Sequence, residues 1–202
     1  MLPIGRASIW LFFHLGVGLI AVGVFWSHTR SLWPKGFYEE LLAASFYGVS
    51  LSGIVGYLLE RIFPKRLTRT GIEVIFERIP AEMAGVRKEA ETLMSEHTEK
   101  TQREAIEWFF RGPRFFFSHA FGSQKGSRWI QQHLEAVKRN VTGPGFANFD
   151  RLAALAEFKN KLDIHYALQK ILKSWLWFHV PLTLSLGVLI VWHVVIVYVY
   201  VL

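Results

Sequence analysis

Four histidines lie in apolar stretches of the sequence and form two pairs, His14 with His28 and His179 with His193. In both pairs the second histidine follows the first by fourteen positions. Fourteen positions are four helical turns at about 3.5 residues per turn and about 21 Å of rise, so each pair would lie near one helix face at two depths. Neutral imidazole is a common ligand of metal ions. The spacing therefore predicts two metal sites at two levels.

The helices that would carry these pairs are predicted to cross a membrane. Three long runs contain no Asp, Glu, Lys or Arg: residues 7–29, 41–59 and 174–202. A membrane span needs roughly 20 apolar residues, and we predict transmembrane helices at 8–28, 41–60 and 174–202. The first run has no small-residue cleavage pattern after it, so we interpret it as a retained span and not as a signal peptide.

The composition favours a membrane protein with few metal-binding options. Of 202 residues, 51% are hydrophobic and 19% are charged, and the mean hydropathy is +0.25, which argues against a purely soluble domain. The absence of cysteine excludes disulfides, thiolate-held iron–sulfur clusters, cysteine-ligated zinc and attachment of a c-type haem. Any metal ion would have to be held by histidine or carboxylate side chains.

A polar insert, residues 64–173, separates the second and third spans and is predicted to be mostly helical. Residues 80–100 and 101–110 have helical composition, and a further helix should run over 127–140 from a cap at Ser127. A last helix should start near Phe149. The predicted fold is an all-α integral membrane protein with three transmembrane helices: a hairpin (1–63), a cytoplasmic helical insert (64–173) and a third span (174–202).

Basic residues near the spans predict the orientation. The first connection has only Arg30 and Lys35, whereas eight basic residues lie near the two ends of the insert: Arg61, Lys65, Arg66, Arg69, Lys159, Lys161, Lys170 and Lys173. Cytoplasmic loops carry the excess of Lys and Arg. We therefore expect a multi-pass protein of the inner (cytoplasmic) membrane, with the N-terminus and insert cytoplasmic and the C-terminus outside. The first and third helices would then run parallel.

Parallel helices would let the histidines meet as two level pairs, His14 with His179 and His28 with His193. Two imidazoles on opposite sides of one iron fill both axial positions of a haem, which favours electron transfer over oxygen binding. The alternative is that each histidine only hydrogen-bonds a carbonyl or a neighbouring helix. We favour ligation because ionisable residues inside a membrane are costly and usually functional.

The doubled His-x13-His pattern resembles the cytochrome b subunit of the respiratory and photosynthetic quinol-oxidising complexes. In that family, two parallel helices each supply one ligand to each of two b haems. The resemblance covers the two histidine-bearing helices and implies that His14, His28, His179 and His193 ligate two b-type haems. The chain departs from the family in having three predicted spans instead of eight, a large insert between the ligand helices, and no Pro-Glu-Trp-Tyr motif. A quinol-oxidation site of that family's kind is therefore not predicted.

Other residues could accommodate a haem. Its anionic propionates would pair with cations at the polar faces. The candidates are Arg30 and Lys35 outside and Arg61, Lys170 and Lys173 inside, although most such residues set topology or contact lipid. Small residues in the first two spans could give a flat cofactor room or simply allow close helix packing. They are Gly16, Gly18, Gly23, Gly48, Ser52 and Gly56.

The expected function is electron transport by a dihaem cytochrome b subunit of an oxidoreductase complex. Its expected partners are other membrane redox subunits, membrane lipid, quinone on one side, and an iron–sulfur or multihaem c-type protein on the other. The alternative is a membrane scaffold or assembly subunit without a cofactor, whose basic insert binds partner proteins. Transport is disfavoured because three spans make a thin bundle almost without carboxylates. No nucleic-acid partner is expected, since 19 basic residues of the insert are offset by 13 acidic ones.

The insert also contains a basic and aromatic segment, residues 111–129. It could dock a partner or a lipid surface, but we favour a phenylalanine cluster that packs the insert's own small core. The remaining histidines lack metal-ligand spacing and are predicted to be ordinary surface or core residues. They are His97, His119, His133 and His165.

Overall fold

A computed structural model describes residues 7–94, 100–139 and 145–200, and the regular structure in these ranges is entirely helical. The helices are α1 (Ala7–Thr29), α2 (Phe37–Thr68), α3 (Ile79–Leu93), α4 (Lys100–Phe110), α5 (Phe116–Ala120), α6 (Lys125–Lys138) and α7 (Gly145–Tyr200), with a 3₁₀ turn at Phe76–Arg78. Three of them contain segments long and apolar enough to cross a membrane: Ile9–Thr29, Phe37–Thr68 and Phe146–Tyr200. The prediction of an all-α protein with three transmembrane helices is confirmed.

Several helix ends differ from the predicted ones. Helix α2 continues through Pro64 to Thr68, and the Thr68 hydroxyl donates to the Pro64 carbonyl at 3.0 Å. Helix α6 begins at Lys125, and no side chain caps it, so the predicted cap at Ser127 is wrong. The Ser127 hydroxyl instead accepts a hydrogen bond from the Asn160 amide at 3.2 Å. The predicted helix over 80–100 ends at Leu93, and His97 lies outside the described residues.

The chain divides into two compact units, Met1–Glu60 with Ser174–Leu202, and Arg61–Lys173. In the first unit, aromatic contacts join α1 to α2. The rings of Phe25 and Phe46 stack with centroids 4.4 Å apart, and the Trp26 indole donates to the Tyr47 hydroxyl at 3.0 Å. The Tyr47 hydroxyl in turn donates to the Leu32 carbonyl at 2.6 Å, which fixes the short connection between the two helices.

In the second unit, short amphipathic helices bury one face each. Helix α3 places its buried residues at helical intervals, so a single apolar stripe faces the core. This stripe packs with apolar side chains of α4, α6 and the N-terminal part of α7. The core includes Ile79, Met83, Val86, Ala90, Phe109, Phe110, Ile130, Val137, Leu152 and Ala156.

A buried ion pair lies within this unit. The Lys159 ammonium donates to the Asp163 carboxylate at 2.6 Å and to the Gly112 carbonyl at 2.7 Å, and it lies 4.2 Å from the centre of the Phe109 ring. Burial raises the pKa of Asp163 and lowers the pKa of Lys159, in each case against the opposing effect of the partner. Lys159 is only 1% exposed, so its charge is neutralised internally and is not a surface charge of the kind that marks topology.

Candidate functional site

His28 and His193 are neighbours in the unit that contains the spans. His28 lies in the last turn of α1, and His193 lies in the apolar part of α7. Their ring centroids are 6.3 Å apart, and the ring planes are perpendicular. One of the two predicted pairs is thus brought together across two helices.

Tyr38 restricts the position of the His193 ring. The two rings are nearly parallel, at 12°, with centroids 6.1 Å apart. The Tyr38 hydroxyl donates to the Leu189 carbonyl at 2.5 Å, one helical turn before His193. Tyr38 therefore ties the start of α2 to the α7 turn that carries His193.

Ser52 fixes the orientation of His179. The Ser52 hydroxyl oxygen lies 2.7 Å from Nδ1 of His179 and 2.9 Å from the Val49 carbonyl oxygen. A hydroxyl has one proton, and a carbonyl can only accept. The Ser52 hydroxyl therefore donates to Val49 and accepts from the Nδ1–H of His179. This hydrogen-bond pattern assigns the proton to Nδ1 and leaves Nε2 with the lone pair that a metal ion requires.

Trp175 supports the same histidine from one turn earlier on α7. Its indole N–H donates to the Ser52 carbonyl at 2.8 Å, and its ring stacks on His179 with centroids 5.1 Å apart. Ser52 thus uses its hydroxyl and its carbonyl to hold two adjacent rings of α7. His14 is exposed on α1.

The small residues of α1 and α2 differ in what surrounds them. On α2, a Cβ at Gly56 would lie 1.9 Å from the Trp175 ring, and a Cβ at Gly48 would lie 3.3 Å from Leu182. These two glycines therefore serve close packing of α2 against α7. On α1, a Cβ at any of three glycines would meet no neighbouring atom within 4 Å: Gly16, Gly18 and Gly23. At these three positions, which lie between the two histidines of α1 in the sequence, the helix is not packed against protein.

The spacing of the His28 and His193 rings fits two ligands of one metal ion. Because imidazole nitrogens bind metal ions at about 2.0 Å and lie about 1.1 Å from the ring centre, two rings on opposite sides of one ion would have centres about 6 Å apart. The observed 6.3 Å is close to this value and also lies within the range of about 4.5–7 Å that is usual for packed rings. Residues 7–94, 100–139 and 145–200 contain no cluster of three or more His, Cys, Asp or Glu side chains that could hold a metal ion. A haem needs only two ligands from a protein, because the porphyrin supplies the other four iron ligands.

The proposed propionate partners have different surroundings. Lys173 pairs with the Glu77 carboxylate and lies 4.6 Å from the centre of the Phe76 ring, so a propionate would have to replace Glu77. Arg30 follows α1 with a positive φ of 50° and is exposed. The side chains of Lys35, Arg61 and Lys170 are also exposed.

Sequence reasoning missed the residues that orient the histidines. The sequence draws attention to Ser52 only for its small size and to Trp175 only as an aromatic residue near a span end, and it gives Tyr38 no role. One local signal was present, since Trp175 precedes His179 by four positions and therefore shares its helix face. Nothing local connects Ser52 or Tyr38 with histidines more than a hundred positions away.

The three insert histidines that the structure describes, His119, His133 and His165, contact other residues of the insert. Burial, with Lys159 and Arg66 adding like charge, lowers the pKa of His119 to about 4. Burial also lowers the pKa of His165, which contacts the Thr70 hydroxyl at 2.8 Å. His133 stacks on Trp129 with ring centroids 3.8 Å apart.

Comparison with known proteins gives no relative: no protein-family model, no curated protein and no solved structure matches the chain.

Proposed function

We propose that this chain is a membrane-bound dihaem cytochrome b subunit that relays electrons across the bilayer. The observation that carries the proposal is the pairing of His28 with His193 at a ring distance suited to one metal ion. The equal fourteen-residue spacing on both helices extends it to His14 and His179.

The proposed ligands are His28 with His193 for one haem and His14 with His179 for the other. A haem bound between two histidines supplies one-electron redox chemistry with both axial positions closed. Neighbouring residues orient the rings of the proposed ligands. Ser52 holds the His179 proton on Nδ1, and Tyr38 limits rotation of the His193 ring.

The proposal includes partners on both sides of the membrane. With the insert cytoplasmic, the chain would exchange electrons with membrane quinone on one side and with an iron–sulfur or multihaem c-type protein on the other. Other membrane redox subunits would cover the apolar faces of the spans that are exposed in the isolated chain.

The haem content of the purified full-length protein tests the proposal. A pyridine haemochrome assay should give two b-type haems per chain. His193→Ala and His179→Ala should each lose one haem, and the double variant should lose both. His133→Ala is the matched control because His133 also stacks on a tryptophan four positions earlier but lies in the insert; it should keep both haems.

Two results would refute the proposal. One is a preparation without protohaem that still forms a stable complex with other membrane proteins, as a scaffold subunit would. The other is an absorption spectrum that is unchanged in both His193→Ala and His179→Ala.

A further inference from the structure

Helix α5 of the insert exposes two large aromatic side chains on one face. Phe117 is 73% exposed and Phe121 is 86% exposed. The Phe121 N–H donates to the Phe117 carbonyl at 3.0 Å, so the two residues are one helical turn apart and lie on the same side. Their neighbour Phe115 instead packs against the core of the insert. The aromatic segment thus divides into a buried part and an exposed part.

Arg66 ties this exposed turn to the end of α2. Its guanidinium donates to the Ala120 carbonyl at 2.6 Å and also to the His119 carbonyl. These are carbonyls of the last turn of α5, where a cation is favoured by the helix dipole. Gly122, with φ of +76°, turns the chain directly beside the same guanidinium. These hydrogen bonds therefore hold the exposed turn next to the Arg66 side chain.

Arg66 follows the uncharged run of the second span by only a few positions in the sequence. The uncharged run of that span ends at Glu60, and six helical positions rise about 9 Å. The headgroup region adds about 5–7 Å to each side of the hydrocarbon core. In addition, the Cα–Cβ bonds of a helix tilt towards its N-terminus, which for α2 is towards the span. By its place in the sequence, the Arg66 side chain is thus within reach of the headgroup region.

The charge around α5 suits an anionic surface. Residues 108–134 contain no Asp or Glu and four basic residues, Arg111, Arg114, Lys125 and Arg128. Three of these are exposed, and Arg114 lies 4.2 Å from the centre of the Trp108 ring. Exposed aromatic side chains next to Lys and Arg are typical of segments that lie in a membrane interface.

From these observations we propose that α5 is an interfacial anchor: Phe117 and Phe121 enter the boundary between headgroups and acyl chains, and Lys125 and Arg128 contact anionic headgroups. The occupant of this exposed face is membrane lipid and not a protein partner. The anchor does not depend on a haem, because none of its residues belongs to the histidine pairs. It would hold the insert at the membrane surface.

The absence of cysteine makes a direct test simple, since one introduced cysteine gives a single labelling position. The full-length Phe117→Cys and Phe121→Cys variants would each carry a nitroxide spin label in vesicles of phosphatidylcholine and phosphatidylglycerol. Oxygen concentrates in the bilayer, and a nickel chelate stays in water. The ratio of oxygen to nickel relaxation at both positions should be several-fold higher than at Lys88→Cys, an exposed charged position on α3.

Charge reversal at Lys125 and Arg128 tests the proposed contact with anionic headgroups. Adding Lys125→Glu and Arg128→Glu to the labelled Phe121→Cys variant should lower the ratio in these vesicles, and an unchanged ratio would overturn the proposed headgroup contact. A ratio at 117 and 121 equal to that at 88 would overturn the anchor itself. A label shielded from both reagents would also overturn it, because protein would then cover the face. Haem content is measured separately, so failure of the anchor and failure of the redox proposal remain distinguishable.

Discussion

Replacing Ser52 by alanine removes the oxygen that accepts the Nδ1–H of His179 at 2.7 Å. Ser52 is only 7% exposed, so water cannot readily take its place. An unsatisfied buried donor costs about 1–3 kcal/mol. The ring also becomes free to rotate and to move its proton to Nε2, which would block ligation. Loss of such a support for a ligating histidine typically weakens metal binding about 10–100-fold.

We therefore expect Ser52→Ala to bind haem about 10–100-fold more weakly at the pair of His14 and His179. This change corresponds to a loss of about 1.4–2.7 kcal/mol of binding free energy. The pair of His28 and His193 should keep its haem. The measurement is haem titration of the apoprotein followed by absorbance, so that the two components are resolved by affinity.

Ser50→Ala is the matched control. The Ser50 hydroxyl donates to a carbonyl of its own helix, Phe46, at 2.9 Å, as the Ser52 hydroxyl does to Val49. Ser52 contacts His179, whereas the Ser50 hydroxyl bonds within its own helix, so Ser50→Ala should bind two haems normally. Equal affinities in the two variants, or loss of both haems in Ser52→Ala, would refute the assigned role.

A measurement without cofactor checks the same assignment. Nitrogen NMR of the His179 ring in the apoprotein should show a proton on Nδ1 in the wild type and a mixture of tautomers in Ser52→Ala. A proton on Nε2 in the wild type would contradict the hydrogen-bond pattern, whatever the protein binds.

Three further predictions concern packing and charge. Lys159→Met should destabilise the insert by about 3–5 kcal/mol because it removes the buried cation that pairs with Asp163. The double variant Lys159→Met with Asp163→Leu should recover most of this loss, and thermal unfolding of the single and double variants measures both. In the folded protein the pKa of His119 is lowered from 6.5 to about 4. Between pH 6.5 and pH 4, His119 is therefore protonated in the unfolded chain and neutral in the folded one. Stability should therefore fall as the pH drops through this window, by about 2 kcal/mol at pH 5 relative to pH 7, and a His119→Gln variant should lack that component. Gly56→Ala should lower the free energy of unfolding by about 1–3 kcal/mol because the added Cβ would overlap the Trp175 indole. Gly53→Ala should be tolerated, since the nearest atom to its added Cβ would be 3.9 Å away. An equal loss of stability in the two variants would contradict the packing of α2 against α7.

The sequence was sufficient for the elements that depend on neighbouring residues. The three uncharged runs determine three transmembrane helices because about 20 apolar positions decide membrane insertion locally. The helical composition of residues 80–100 likewise indicated a helix where α3 lies. The cap at Ser127 was wrong because α6 starts two residues earlier, and Ser127 meets Asn160, a partner 33 positions away. The fourteen-residue spacing predicted which histidines could face one another, and their role as haem ligands stays a prediction.

The amino-acid sequence by itself determined the helical class, the number of spans and the two depths of the histidines, since hydropathy and helical period act over adjacent residues. Only the tertiary structure decided which side chains orient those histidines. Ser52 lies 127 positions from His179, and Tyr38 lies 151 positions from the Leu189 carbonyl that it contacts. It likewise decided which phenylalanines of the insert are buried and which are exposed. Such contacts depend on how separate helices pack, and no local pattern specifies which hydroxyl or ring will fill a particular interhelical position.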